Sequence, residues 1–216
     1  MMFMAAPILF GGLLFLAVGM LVFLVWMGSE ADGKRVRMVF EGECTEKATP
    51  IINQRIHEIG LGDVLFTSKE NRLEITATLP NMESAEKTIP TLLVQKGLLS
   101  VRNQKDWLSD PIVPKSVGIA QDEAGMPYTQ LVLEEDVRKK LEKEVLSNPK
   151  GFLYFFLDGE QIVERPNHNL IRSDELRLRS IEGGKRQQLK RVVDWSIVLS
   201  HGPMPCEISI IEVLSI

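Results

Sequence analysis

The residues that could do chemistry are few, and their spacing does not suit it. His57-Glu58 opens the HExxH pattern that sets two zinc-binding imidazoles one helical turn apart, but the second ligand position is Leu61. His57 therefore reads as an ordinary helix-surface residue. Gly183-Gly184-Lys185 looks like the end of a phosphate loop, yet it lacks the earlier glycine and a following Ser or Thr. Glycines at a helix N-terminus are the simpler reading. His168, beside Pro166 and Asn167, lies in a loop with no nucleophile partner, and neither GxSxG nor a Rossmann glycine pattern occurs. Cys44 and Cys206 form no CxxC pair and no metal-ligand spacing with His57, His168 or His201. They can be two half-buried thiols or, in an oxidising compartment, a disulfide. The mixed charges of Lys139, Lys140, Glu142, Lys143 and Glu144 fit a solvated helix face. No catalytic, cofactor-binding or metal-ligating residue emerges, and a hydrolase reading has no site geometry to stand on. The chain is expected not to be an enzyme and to need no cofactor.

The elements that surround these residues are clearer. With 216 residues the chain can bury a proper core. Its net charge of −4 offers phosphate no long-range attraction, so nucleic acid is not an expected partner, and no small-molecule substrate is evident. Every Lys, Arg, Asp and Glu lies from Glu30 onward. The apolar run over 4–27 is long enough to cross the roughly 30 Å of hydrocarbon in a bilayer, with Pro7 near its start and Trp26 near its end. A signal peptide would need a basic start and a small-residue cleavage site, and neither is present. The expectation is a single-pass transmembrane helix, with a linker over 28–34. Lys34, Arg35 and Arg37 follow it, which by the positive-inside rule alone would hold the rest in the cytoplasm.

Beyond the linker, Val36, Met38 and Phe40 alternate as a strand. Ala48, Ile52, Ile56 and Ile59 follow at helical spacing, with a start at Thr45 or at Thr49-Pro50. Strands at 64–67 and 73–77, a helix from Met82 to Lys96 blemished by Pro90, and a strand at 98–102 complete a βαββαβ order, the ferredoxin-like arrangement. A linker containing Pro111 and Pro114 leads to a second unit. Its elements are a strand at 128–133, a helix carrying Val137, Leu141 and Val145, a hairpin across Asp158-Gly159, a strand at 176–179 and a helix from Lys185 to Ser200. A last strand runs from Glu207 to Val213.

Several of these stretches fall in a known order. Ile51-Ile52-Asn53-Gln54-Arg55-Ile56-His57-Glu58-Ile59-Gly60, a strand ending in Leu79-Pro80, and Gly97-Leu98-Leu99-Ser100-Val101-Arg102 come first. Gly125-Met126-Pro127, Asn148-Pro149-Lys150-Gly151, Leu157-Asp158-Gly159 and Ser200-His201-Gly202-Pro203-Met204-Pro205 follow. The series resembles the first periplasmic domain of the SecD protein-export family, over Arg35 to Ile216. Each motif is mostly turn chemistry, so the order carries the likeness.

The resemblance implies an α+β fold: a ferredoxin-like base over 35–108 and 204–216, an inserted α+β head over 109–203, and a C-terminal strand returning to the base. It also implies a periplasmic placement at the inner (cytoplasmic) membrane, against the charge rule. The family continues into further membrane helices that carry proton-coupled work; no second apolar span is read here, so no pumping capacity is expected. The expected function is a SecD-like module that binds translocating polypeptide or export-machinery partners, at an open sheet edge or in the groove between base and head, with head positions such as Gln130 and Gln161 as sites for a crosslinking test. The alternative is a structural subunit of a cell-envelope complex. Neither the residues nor the resemblance single out which residues contact a polypeptide.

Overall fold

The computed structural model describes residues 33–81, 84–108, 111–166, 175–180 and 183–216. β1 (Lys34–Glu41) buries Val36, Met38 and Phe40 on one face and turns Arg35 and Arg37 to the other. α1 (Thr45–Ile59) begins at the earlier of the two expected starts and lays Ala48, Ile52, Ile56 and Ile59 against the sheet. β2 (Gly62–Lys69) and β3 (Arg72–Leu79) form a hairpin, with Leu73, Ile75, Ala77 and Leu79 facing the same core. α2 (Ala85–Val94) is shorter than expected and runs through the buried Pro90, which forgoes one helix hydrogen bond without ending the helix.

The rest of the chain supplies β4 (Leu99–Arg102), β5 (Ser116–Gln121), β6 (Pro127–Val132), α3 (Glu135–Ser147) and β7 (Phe152–Leu157). After these come β8 (Glu160–Pro166), β9 (Glu175–Leu178), α4 (Lys185–Ser200) and β10 (Ser209–Ser215). Asp158 (φ 54°) and Gly159 (φ 84°) turn β7 into β8, since a type I′ turn needs positive φ at both central positions. β5 lies where the sequence suggested only a linker.

All pairing is antiparallel, in three sheets ordered β10-β1-β3-β2, β4-β7-β8 and β5-β6-β9. The expected ferredoxin-like base is corrected here. Its own fourth strand, β4, is not beside β1 but in the second sheet, where Leu99 and Val101 pair with Leu157 and Phe155. The edge place next to β1 is held by β10. The second correction concerns the membrane-spanning helix. Among the described residues no helix is long and apolar enough to cross a membrane. The longest, α4, has 16 residues, about 24 Å, and carries five charged residues between Lys185 and Asp194. The span expected over 4–27 lies outside the described residues.

Two constraints tie the first half of the chain to its end. Arg55 of α1 is fully buried. Its Nη1 donates to the carbonyls of Leu92 (3.2 Å), Leu93 (3.1 Å) and Gln95 (2.6 Å), and its Nη2 to Val198 O (3.3 Å). It thus serves carbonyls at the C-terminal ends of α2 and α4, groups a helix cannot satisfy itself. Cys44 and Cys206 are bonded to each other, with Cα atoms 6.1 Å apart across 162 residues of sequence. The reading of two separate thiols is therefore set aside.

Two expectations follow. Arg55→Ala should cost roughly 3 kcal/mol or more in urea unfolding, because carbonyls of two helices lose their donor in a dry interior; a loss under about 1 kcal/mol would show that water replaces the guanidinium. Reducing the disulfide should lower the melting temperature, since closing so long a loop contributes up to about 5 kcal/mol in the chain-entropy account. Melts with and without a phosphine reductant, paired with thiol alkylation and mass measurement, provide the check.

Candidate interaction surfaces

The sites considered from sequence do not converge. His57 is exposed on α1, and its neighbour Glu58 faces His201 Nε2 at 3.0 Å instead of a second helix imidazole. Burial pushes the Glu58 carboxyl up, and the His201 imidazole works against that shift. Gly183 and Gly184 precede α4, where the Gly184 N–H donates to Gln187 Oε1 at 3.3 Å, a helix start and no phosphate cradle. His168 lies outside the described residues. Arg138–Glu142 and Lys139–Glu135 pair along the exposed side of α3, as a solvated face should. Among the described residues no group of His, Cys, Asp and Glu is placed to hold a metal. Gln130 sits in β6 and Gln161 in β8, in two different sheets.

What the fold does present is unpaired backbone, and its edges differ in how they are guarded. The chain after β4 returns along that strand's free side, with Leu108 N donating to Val101 O (2.9 Å) and Ile112 N to Leu99 O (2.6 Å). Trp107 on this return packs against Phe156 at 5.0 Å between ring centroids, with the Arg102 guanidinium 5.9 Å from the Trp107 ring. That edge is closed. β2 exposes Leu65 and Phe66, but its pairing is irregular between Gly62 and Leu65, and Asp63 and Lys69 flank it. Charges and bulges of this kind blunt an edge.

β10 is guarded less. Its sequence is SIIEVLS, with no Pro or Lys and one charge, Glu212. Ile210, Ile211 and Leu214 are 37%, 55% and 42% exposed, and among the described residues no strand pairs with its outer side. Register with β1 shifts between Val39 and Phe40, leaving Ile211 as the extra residue of a bulge that projects at the strand's start. The other end is held against α2, where Ser215 Oγ donates to Glu86 Oε1 at 3.2 Å. Next to Ile211 an open pocket of about 400 Å³ is lined by Glu41, Glu43, Asn71, Cys206 and Glu207. Sequence reading found β10 and its return to the base. It could not single out β10 as an open edge, because edge status depends on which strand sits beside it.

No family model matches the chain, and no curated protein matches it. Solved structures do. A SecDF in its super-membrane-facing form aligns with a TM-score of 0.64 at 16% identity, covering 94% of this chain and 34% of that protein. A structure of SecDF, a membrane component that enhances protein export, aligns at 0.60 and 17% identity, covering 83% of this chain and 100% of that one. The chain thus spans about a third of the longer of these. At such identities the likeness establishes the fold, which is SecD-like.

One half-buried acid has a measurable signature. Asp194 of α4, with Lys190 Nζ 3.9 Å away, is pushed up to about 6 by burial, against the pull of that lysine. A carboxyl whose folded value exceeds its unfolded one stabilises the fold below the unfolded value and loses that contribution as pH rises through the folded one. Stability should therefore fall by at most about 3 kcal/mol from this group between pH 4 and 6. Asp194→Asn should remove that slope in chemical unfolding across the interval; an unchanged slope would assign it to other groups.

Proposed function

We propose that the chain is a SecD-like module that binds extended polypeptide at a protein-export site on the extracytoplasmic side of the membrane, and that it acts by binding, with no catalysis or proton transport of its own. The observation that carries the reading is the uncovered β10 edge, with its exposed Ile210, Ile211 and Leu214, in a fold shared with a component that enhances protein export. An unfolded chain offers partners for such an edge: backbone N–H and C=O groups that pair with its own, and apolar side chains at two-residue spacing. The Cys44–Cys206 bond supports an oxidising compartment for the domain. The fold alone would suit an assembly subunit equally well, and the open apolar edge is what favours a transient client.

Site-specific photocrosslinkers test this in intact cells. Placed at Ile211, the probe should capture exported chains or export components several-fold more than a probe at Lys139 on the solvated side of α3. Probes at Gln130 and Gln161 report whether the other two sheets share the contact. Equal, background-level capture at all four positions would sink the proposal, whereas capture of one partner at fixed stoichiometry would favour an assembly subunit.

A further inference from the structure

The pocket beside Ile211 gives the open edge a chemical preference. Glu41 ends β1, Glu43 follows it, and Glu207 precedes β10, so three carboxylates gather where the edge strand begins. Glu207 is partly answered by Lys96, at 3.2 Å. Glu41 and Glu43 form no ion pair among the described residues; Arg72, opposite Glu41 in the ladder, makes none with it. Ile211 lines the same pocket with more than half its surface free, and Leu214 lies about 10 Å further along the strand, at roughly 3.3 Å per residue. The acidic hollow and the exposed Ile211 thus lie side by side, next to unpaired backbone. The disulfide at Cys206 holds the pocket wall to the start of α1, so the hollow is set before any ligand arrives.

We infer that β10 receives an extended polypeptide segment with a Lys or Arg about two residues from a large apolar side chain, so that both point to one face, the cation seated among Glu41, Glu43 and Glu207 and the apolar group on Ile211. The backbone of the segment adds a strand to the β10 edge, which provides affinity without regard to sequence. The pocket then selects, because a cation there relieves the repulsion of the clustered carboxylates and an acidic residue adds to it. The inference rests on the polypeptide-binding reading and adds the charge and spacing of the segment.

Fluorescent decapeptides binding to the whole protein, followed by polarisation at low and moderate salt, test it. A peptide with Lys two residues from Leu should bind at least tenfold more tightly than its Lys→Glu counterpart, and the gap should narrow as salt rises. Glu41→Gln with Glu43→Gln should erase most of the gap while leaving the melting temperature near that of the parent. Ile211→Lys should weaken both peptides, and N-methylation of alternate peptide amides should abolish binding. If Lys and Glu peptides bind equally, the charge preference is wrong and the polypeptide reading stands. If neither binds, both fall. Binding that survives N-methylation overturns strand addition.

Discussion

Everything else in the fold hangs on how a guanidinium can be buried without a carboxylate. Arg55 is fully enclosed, and burial lowers it to about 10, so it still carries its proton at neutral pH. Its counter-charge is diffuse: the carbonyl ends of α2 and α4, where a helix presents its partial negative charge. Asp158 contributes a longer-range attraction, and Glu58 a smaller one. A planar, multi-donor group suits this task, and an ammonium would not reach two helix ends at once. The packing around it is correspondingly tight. Gly97, at φ 76°, is a position where a Cβ would sit 3.1 Å from Val198 O and 3.4 Å from Arg55 Nη2. The chain passes there because glycine lets it.

The same junction explains why β4 leaves the base. Just past Gly97, the Asp158 carboxylate accepts hydrogen bonds from Gly97 N (3.1 Å) and Leu98 N (2.7 Å), and Asp158 N donates to Leu98 O (3.0 Å). The tip of the β7–β8 hairpin thereby captures the segment leading into β4 and aligns Leu99 opposite Leu157. A strand so captured cannot also lie beside β1. The vacated place goes to β10, delivered by α4, whose own C-terminal end is held by Arg55. Met204 N donates to Lys96 O at 2.8 Å, and the Cys44–Cys206 bond fixes the segment just before β10. One contiguous buried cluster accordingly runs from Val36 to Ile208, drawing on all three sheets.

Much of this was legible in the residues, and the parts that were not share a cause. Period-two and period-3.6 patterns place β1, β3, β7 and α4 well, because each buries one face against whatever lies opposite. Asp158-Gly159 announces its turn through backbone conformation alone. Arg55 falls three residues after Ile52, on the buried side of α1, yet its charge argues for solvent; only the convergence of two helix ends makes the interior acceptable. β5, with Gly118 and Ala120 among few apolar residues and prolines close before it, shows no pattern beyond that of a linker. Strand partnership is the deeper blind spot. The order βαββαβ suggests a familiar sheet, but nothing within β4 says that it will pair with β7 at long range. The functional surface inherits that blindness, since edges are defined by partners.

An edge like β10 carries a risk that its immediate structure limits. A long, flat, apolar edge invites pairing with any other exposed strand, including a second copy. Here the pairing length is cut by the bulge at Ile211, and Glu212 puts one charge in the middle of the strand. That charge is a further filter, because two copies pairing antiparallel about the middle of β10 would bring their Glu212 side chains together. A client with a cation in place of the second Glu212 meets no such barrier. The bulge at Ile211 and the charge of Glu212 thus limit self-association, while the proposed preference for a basic, extended chain rests on Glu41 and Glu43 at the strand's start.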